Sequence, residues 1–436
     1  MRISRFFPQK GLKFLFLTFP TSLLCLFISK FLCIIPIPPD LASAMARKKT
    51  MISVSWSLTR QDHGEQPFWA AIALASMLGQ IGKPGTGLGF GYSAMNHIGL
   101  NRRQMRYPSL PQGVNKVKSF IPVARISELL EKPGGSFNYN GREHIFPDTK
   151  IVWWAGGNPF HNHQDQNRLI KAWSKPDTVI SNEWCWNALA QYSDIVLPCT
   201  TSLERSDISI TPKDPYLVIM DQAVEPVGEA KDDHEIFKLL AREMGVEEKF
   251  TEKKSAEEWQ YWMYNFARQS AAKEGVELPN WDKFKKTGWF KVPDLDKQVI
   301  MMEEFVNNPK QNPLSTPSGK IEIFSKTIAD FGYEDCPGYP YWMEPQEWLG
   351  NASPDAPLHM ISNQPKDKLH SQLDHGAVSQ SAKINGHEQL LMNPSDAKLR
   401  GLKDRQIVQI FNARGACLAA VKIDEDVMEQ VIQIST

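Results

Sequence analysis

Between Lys150 and Pro198 short apolar runs alternate with stretches of helical periodicity. The apolar runs cover residues 151–155, 178–181 and 194–197, and the helical segments cover 164–173 and 184–191. Strands separated by helices of this length predict β-α-β-α-β crossovers. Such crossovers are right-handed almost without exception, so the three strands are expected in one parallel sheet with helices packed on it. The expected fold class is therefore α/β, a doubly wound parallel sheet whose ligands sit at the carboxyl ends of the strands.

Upstream, residues 51–56 read as a strand and 57–66 as a polar loop. The segment PFWAAIALASMLGQIG, from Pro67, is apolar nearly all round and reads as a buried helix. Pro67 suits its first turn, and Gly82 and Pro84 lie past its end. Gly85, Gly87, Gly89 and Gly91 then recur at alternate positions. This loop permits close backbone approach. It follows a helix and opens none, so it is no dinucleotide fingerprint, and without Gly-Lys-Ser/Thr it is no phosphate loop.

Downstream of the central segment, a strand is expected within 216–226 and an amphipathic helix over 229–244, with Gly245 past its end. Further helices are expected near 121–130 and over 255–273, the aromatic residues of the latter serving packing, and a short strand over 318–325. Residues 333–357, rich in Pro and Gly, read as a connector. Five short β runs follow at 359–362, 390–393, 407–412, 417–423 and 431–435, with a hairpin turn at 412–415. Asn393 and Gly401 bracket one small helix. Many short strands with one small helix predict a β-barrel. The expected segments are 1–44, an α/β domain over 45–245, a helical and irregular segment with connector over 246–355, and a C-terminal barrel over 356–436.

Composition narrows the class. The 436 residues carry 49 basic and 49 acidic side chains, so no charge excess argues for nucleic acid. The six cysteines, at 25, 33, 185, 199, 336 and 417, form no Cys-x-x-Cys pair. Neither a zinc site nor an iron–sulfur cluster nor a disulfide framework is indicated. Residues 1–44 differ from the rest: Arg2, Arg5, Lys10 and Lys13 precede an apolar run over 14–27, Lys30 interrupts, and Ala42-Ser43-Ala44 has the form of a cleavage site. Three readings stand: a secretory signal, a membrane anchor, or a start not native to the fold. The first places the protein in the periplasm; cytoplasmic and anchored placements stay open.

The chemistry concentrates at the ends of the three central strands. Gly156, Gly157 and Asn158, then Asn182 and Glu183, then 198–201 are small, amide-bearing or acidic. Asn158 and Asn182 supply donors and acceptors, and Glu183 can accept two N–H bonds from a guanine-like edge. The alternative is a plain turn with Glu183 as an exposed cap.

The runs GGNPFHNHQDQNRL and SDIVLPCTTSLERSD resemble the molybdopterin-guanine-dinucleotide oxidoreductases, and among them the dimethyl sulfoxide, trimethylamine N-oxide and biotin sulfoxide reductases. The likeness runs from about Ala46 to the last residue. It implies a Mo-bis(molybdopterin guanine dinucleotide) cofactor, a six-stranded barrel closing over it, and removal of oxygen from an S-oxide or N-oxide substrate. It also implies an electron donor, a cytochrome or a thiol reductant.

The resemblance implies cofactor contacts at Trp56, Ser57, Arg60, Gly157, Asn158, Asn162, Asn182 and Glu183. It extends them to Arg205, Asp233, Ser362, Asn363, Gln364, His370 and Gln372. Local alternatives are an Arg60–Asp62 pair, a buried Arg205 pair with Glu204 or Asp207, Asp233 as a helix-dipole acid, and His370 as a surface histidine. Arg102, Arg103 and Arg106 form either a ligand-facing patch or a solvated face.

In the relatives that the likeness points to, a serine on an N-terminal half binds the metal, and nothing like that half precedes Ala46. The chain also stops at VIQIST, midway through the implied barrel. A truncated chain is therefore expected, and no catalytic or metal-binding residue is named; Cys185 and Cys199 are not substitutes. One rival is a non-catalytic fragment needing a second polypeptide that carries the missing half. The other is a nicotinamide enzyme, disfavoured because Pro159 removes an N–H that a phosphate would want.

Overall fold

A computed structural model describes residues 39–91, 105–210, 215–370 and 373–435. The expectations for the start up to residue 38, for Arg102 and Arg103, and for Gln372 lie outside the described residues. The chain forms two compact units that interleave in sequence, whereas the segments read from the sequence were contiguous. One unit takes residues up to 116, 138–144 and 200–344; the other takes 117–137, 145–199 and 345–436.

In the first unit, α1 (Pro39–Arg47) leads into β1 (Met51–Val54). That strand stops two residues before its expected end because Ser55 caps a 3-10 helix, Trp56–Arg60, its hydroxyl accepting the Ser57 N–H. Then comes α2 (Glu65–Met77), the buried apolar helix, with Ala71, Ala73, Leu74 and Ala75 in the core. It stops before Gly79, whose φ is +63°, earlier than Gly82. The alternating glycines are not wholly loop: β2 (Gly87–Phe90) pairs parallel with β1, Met51 opposite Gly87 and Val54 opposite Phe90. A Cβ on Gly87, whose φ is +90°, would lie 3.2 Å from the Ile81 Cα.

The second unit holds the central sheet. β3 (Ile151–Ala155), β4 (Thr178–Glu183) and β5 (Ile195–Pro198) run parallel in that order. Between β3 and β4, α3 (Gln166–Trp173) starts at Asp165, whose carboxylate accepts the Arg168 N–H at 3.2 Å. Its Leu169, Ala172 and Trp173 pack with Val179 and Leu189 in one core. The helix expected over 184–191 shrinks to one turn, α4 (Ala188–Gln191). Asn187 takes the Ala190 N–H onto its side chain and begins the helix there, leaving 184–187 as loop.

The chain then returns to the first unit. β6 (Asp207–Ser209), β7 (Tyr216–Met220) and β8 (Trp289–Lys291) form an antiparallel sheet with β7 in the middle. α5 (Asp233–Glu243) begins four residues later than expected, because Asp232 accepts the Glu235 N–H and caps it. α6 (Ala256–Lys273) carries a Ser255/Glu258 capping box, and α7 (Trp281–Thr287) follows. Leu217, Tyr264, Val276, Phe284 and Val292 fill this core. The Tyr264 ring stacks on Phe284 at 4.4 Å, and its hydroxyl donates to the Pro279 carbonyl. Burial pushes that phenol well above its ordinary value.

The strand expected over 318–325 does not form. The Ser318 N–H goes to the Glu322 carboxylate and the Thr316 hydroxyl to the Lys320 carbonyl, closing turns where a ladder would need extended backbone.

The C-terminal strands join the second unit. β9 (His359–Asn363), β10 (Gln389–Met392), β11 (Ile407–Asn412), β12 (Gly415–Ile423) and β13 (Val431–Ser435) form one mixed sheet in the order β9-β13-β10-β12-β11. After β10, Asn393 caps α8 (Pro394–Leu399), as its sequence predicts, and Gly401 follows with φ +66°. The implied six-stranded barrel is, among the described residues, a five-stranded half-barrel with β9 and β11 as its edges.

Leu169 is fully buried beneath β4. Leu169→Ala is expected to cost about 2–5 kcal/mol of unfolding free energy. Phe411→Ala, on an exposed edge position, should stay within about 0.5 kcal/mol. Denaturant midpoints of the two variants check the contrast.

Candidate functional site

The strand register builds the first part of the site. Ala155 stands opposite Asn182, and Glu183 opposite Pro198, so the carboxyl ends of β3, β4 and β5 finish level. Gly156 and Gly157 follow β3 with φ +80° and +78°. A Cβ on Gly156 would meet nothing within 4 Å, so the conformation, not crowding, calls for glycine. Asn158 is 9% exposed and caps the turn Pro159–Asn162, its Oδ1 accepting the Phe160 N–H at 2.9 Å. Its Nδ2 is buried with no hydrogen-bond partner among the described residues. The turn reading accounts for the oxygen of this amide and leaves its nitrogen without a partner among the described residues. Asn162, at the end of the same turn, is exposed.

Asn182 is buried, and its Oδ1 accepts the Trp153 indole N–H at 2.9 Å. Glu183 is 7% exposed, which overturns the exposed-cap alternative. Burial pushes its carboxyl above the ordinary range, opposed by hydrogen bonds from the Asn187 side chain and the Trp184 backbone.

The same unit brings the segment after β9 to these tips. The Trp184 and His375 rings lie 5.3 Å apart. Surrounding protein lowers the pKa of His161, and the charges of Asp374 and Lys368 reach it with opposite effects. Ser362 and Gln364 are exposed. The Asn363 side chain is engaged within the sheet, accepting from Gln433 Nε2 at 3.0 Å and Ser435 Oγ at 3.1 Å and donating to the Gln364 carbonyl. His370 is half-buried with φ +51°.

The first unit assembles its own group. Arg205 and Asp233 line one cavity of about 630 Å³, with Thr200, His234, Trp259 and Trp281. Arg205 forms an ion pair with Asp207, as the pairing alternative has it, but the pair is partly exposed and not buried, and the guanidinium borders the cavity. Asp232 caps α5, and Asp233 stands in its first turn, where the helix-dipole alternative puts an acid, while also bordering the cavity. Thr200 Oγ1 and His234 Nε2 are buried with no hydrogen-bond partner among the described residues. Glu204, Asp207, Asp221, Asp232, Asp233 and Glu257 outnumber Arg205 and Lys285 in the lining.

Sequence reasoning read Glu204 only as a partner for Arg205. The buried carboxylate instead accepts the Thr201 N–H at 2.7 Å, the Thr201 hydroxyl at 2.8 Å and the Val227 N–H at 2.8 Å. These donors hold it below the ordinary carboxylate range and fix the loop that carries Arg205. Two of the donors belong to Thr201, three residues earlier, a Ser/Thr-x-x-Glu spacing that the sequence carries locally; the third, Val227, comes from a distant part of the chain.

Trp56, Ser57 and Arg60 sit exposed on the 3-10 helix, Trp56 edge-on to Phe90 at 5.3 Å. Asp62 lies 3.7 Å from His63, and no Arg60–Asp62 ion pair forms. Arg106 lies over the Phe266 ring at 4.3 Å, a packing role. Among the described residues no group of three His, Cys, Asp or Glu side chains could hold a metal ion. No helix among them is long and apolar enough to cross a membrane.

The burial of Glu183 has a pH signature. A carboxyl whose folded value is raised contributes stability that is fully present below its unfolded value and lost as pH rises through the folded one. Wild type should therefore lose stability relative to Glu183→Gln as pH climbs out of the ordinary carboxylate range, and the two curves should run parallel above the raised value. Denaturant unfolding across pH checks this; curves parallel throughout would contradict it.

Comparison with known proteins identifies relatives along most of the chain. Residues 41–243 match the family model Molybdopterin oxidoreductase, and 358–436 match the Molydopterin dinucleotide binding domain. Biotin sulfoxide reductase of Cereibacter sphaeroides is 41% identical, covering 91% of this chain and 53% of that protein. Trimethylamine-N-oxide reductase of Haemophilus influenzae is 42% identical, covering 91% and 50%. Dimethyl sulfoxide/trimethylamine N-oxide reductase of Rhodobacter capsulatus is 40% identical, covering 91% and 50%. The chain thus spans about half the length of the curated relatives it matches. Among solved structures, Acetylene Hydratase from Pelobacter acetylenicus shares the fold, with TM-score 0.52 and 21% identity over 72% of this chain and 42% of that one. With both family models on one chain and these relatives along 91% of it, the chain belongs to the molybdopterin oxidoreductases.

Proposed function

We propose that this chain binds the guanine-dinucleotide portion of a Mo-bis(molybdopterin guanine dinucleotide) cofactor and serves the reduction of an S-oxide or N-oxide. The observation that carries the reading is the buried Nδ2 of Asn158, which has no hydrogen-bond partner among the described residues, together with the buried Glu183 at the end of the neighbouring strand. An unmade hydrogen bond on a buried amide costs about 1–3 kcal/mol, which an acceptor on a bound nucleotide would recover. Gly156 and Gly157 leave the backbone open to a close-lying ligand, and an ionised Glu183 offers both oxygens to an N–H edge.

The Arg205–Asp233 cavity fits a base better than a phosphate, because carboxylates dominate its lining and two indoles border it. Thr200 Oγ1 and His234 Nε2 offer further unmade bonds there. Trp56, Ser57, Arg60, Asn162, Asn182, Ser362, Gln364 and His370 complete the proposed contacts. The cofactor, when bound, supplies the two-electron redox chemistry of oxygen-atom removal; the residues named here bind and orient it.

We extend the proposal to the rest of the fold and to location. Exposed Ile151 and Ile195 on the central strands favour a larger, doubly wound sheet around β3 to β5. The basic, apolar, small-residue start favours the periplasm, with a cytochrome or thiol reductant as electron donor.

The test is to purify the chain from a host that makes the cofactor, assay it for molybdenum and acid-released guanine nucleotide, and titrate the cofactor-free chain with GDP. Molybdenum, released nucleotide and saturable GDP binding are expected. Asn158→Asp keeps the capping oxygen and removes the donor, and Asp233→Asn removes a carboxylate from the cavity. Each should weaken GDP by roughly ten-fold, the worth of one hydrogen bond. A chain with neither metal nor nucleotide and no GDP binding would defeat the reading.

A further inference from the structure

The cavity bordered by Arg205 and Asp233 exceeds what a base alone fills. Its volume of about 630 Å³ lies within the range of pockets that enclose ligands of drug size. Part of its lining comes from α6 and α7, which contribute Trp259, Gln260, Met263, Trp281 and Lys285. Another part is polar and comes from the 200–207 loop and the start of α5. The Thr200 N–H ties these two segments together, donating to the Lys231 carbonyl at 3.1 Å.

Most of the acids in this lining already have partners. Three donors hold Glu204, Arg205 pairs with Asp207, Asp232 accepts the Glu235 N–H, and Lys285 donates to Glu257 at 3.2 Å. Among the described residues of the lining, the buried side-chain atoms with an unmade hydrogen bond are Thr200 Oγ1 and His234 Nε2. The His234 ring is held by stacking on Phe250 at 5.5 Å. A hydroxyl both donates and accepts, and an imidazole nitrogen does one or the other according to its tautomer. Ligand hydroxyls, which do either, match this pair in both tautomers, whereas a phosphate oxygen only accepts.

We propose that Thr200 and His234 read the ribose hydroxyls of the bound nucleotide, so that the cavity takes base and sugar together and selects ribonucleotides. The inference rests on the nucleotide reading above and adds to it the sugar and the two residues that recognise it. A site built to hydrogen-bond a ligand hydroxyl rejects the analogue lacking it, because its own buried groups are then left unpaired. Neither side chain belongs to the hydrogen bonds that cap α5 or hold Glu204, so each can be changed without removing those.

The test titrates the cofactor-free full chain with GDP and with 2′,3′-dideoxy-GDP, which lacks both ribose hydroxyls. Wild type should bind GDP roughly ten-fold more tightly, the worth of one hydrogen bond. Thr200→Val removes the hydroxyl and keeps the shape of the side chain. His234→Phe removes the ring nitrogens and keeps a ring to stack on Phe250. Each should weaken GDP by about five-fold, leave dideoxy-GDP within about two-fold of wild type, and so narrow the difference between the two nucleotides.

Equal affinity of wild type for the two nucleotides would overturn the proposal and leave the nucleotide reading standing. Folded variants that weaken both nucleotides alike would also overturn it, because the side chains would then serve the shape of the cavity and not the sugar. So would variants that keep the wild-type difference. If one variant does not fold, the other decides with the same expectations. If wild type binds neither nucleotide, the nucleotide reading falls and this inference falls with it.

Discussion

The hydrogen-bonded register of the central parallel sheet governs the rest of the proposed site. Pairing Ala155 with Asn182 and Glu183 with Pro198 ends three strands at one level. Successive side chains on a strand point to opposite faces, so a slip of one residue would turn both Asn182 and Glu183 to the faces opposite those they occupy. The packing of Leu169, Ala172 and Trp173 with Val179 resists such a slip. Whatever binds at the tips is therefore held to a geometry that the hydrophobic core sets, and the polar groups there need not supply the energy of folding.

Two glutamates show how one side chain acquires opposite characters. Glu204 and Glu183 are both buried, at 7% exposure each. Three donors converge on Glu204 and stabilise its charge, making it an anchor for a loop. Glu183 feels burial more than its hydrogen bonds, so its charge is the less comfortable state. Hydrogen bonding to the ionised form and desolvation of it act in opposite directions, and the balance differs between the two places. The anchor has no need of a ligand, whereas the other carboxylate gains from one that brings N–H groups.

Much of the fold was legible because it is local. Asn393 followed by proline announces α8, Ser255 and Glu258 announce α6, and the alternation over 151–198 gives the parallel sheet. Non-local choices were not legible. The glycines of β2 have poor strand propensity, and only the partner strand β1 makes them a strand. Residues 318–325 have the propensity, but their backbone and side chains close turns instead. At the site, the sequence named Asn158, Glu183, Arg205 and Asp233 from types and motifs. It could not show that Asn363 is engaged by Gln433 and Ser435, or that Lys368 reaches Glu388, because those contacts join distant parts of the chain.

The interleaving of the two units bears on the order in which the molecule is made. The second unit needs residues 117–137, 145–199 and 345–436 together. Chains emerge from the ribosome amino end first, and contacts between distant segments form late because loop closure must come before them. The β3–β5 sheet therefore leaves the ribosome well before the strands that complete its unit. During that interval the segment 345–436 that completes the unit is still to be made, so the contacts between it and the β3–β5 segment cannot yet form. Synthesis itself thus imposes a waiting period on the half-built unit, and a chaperone that shields apolar strands would matter most in that window.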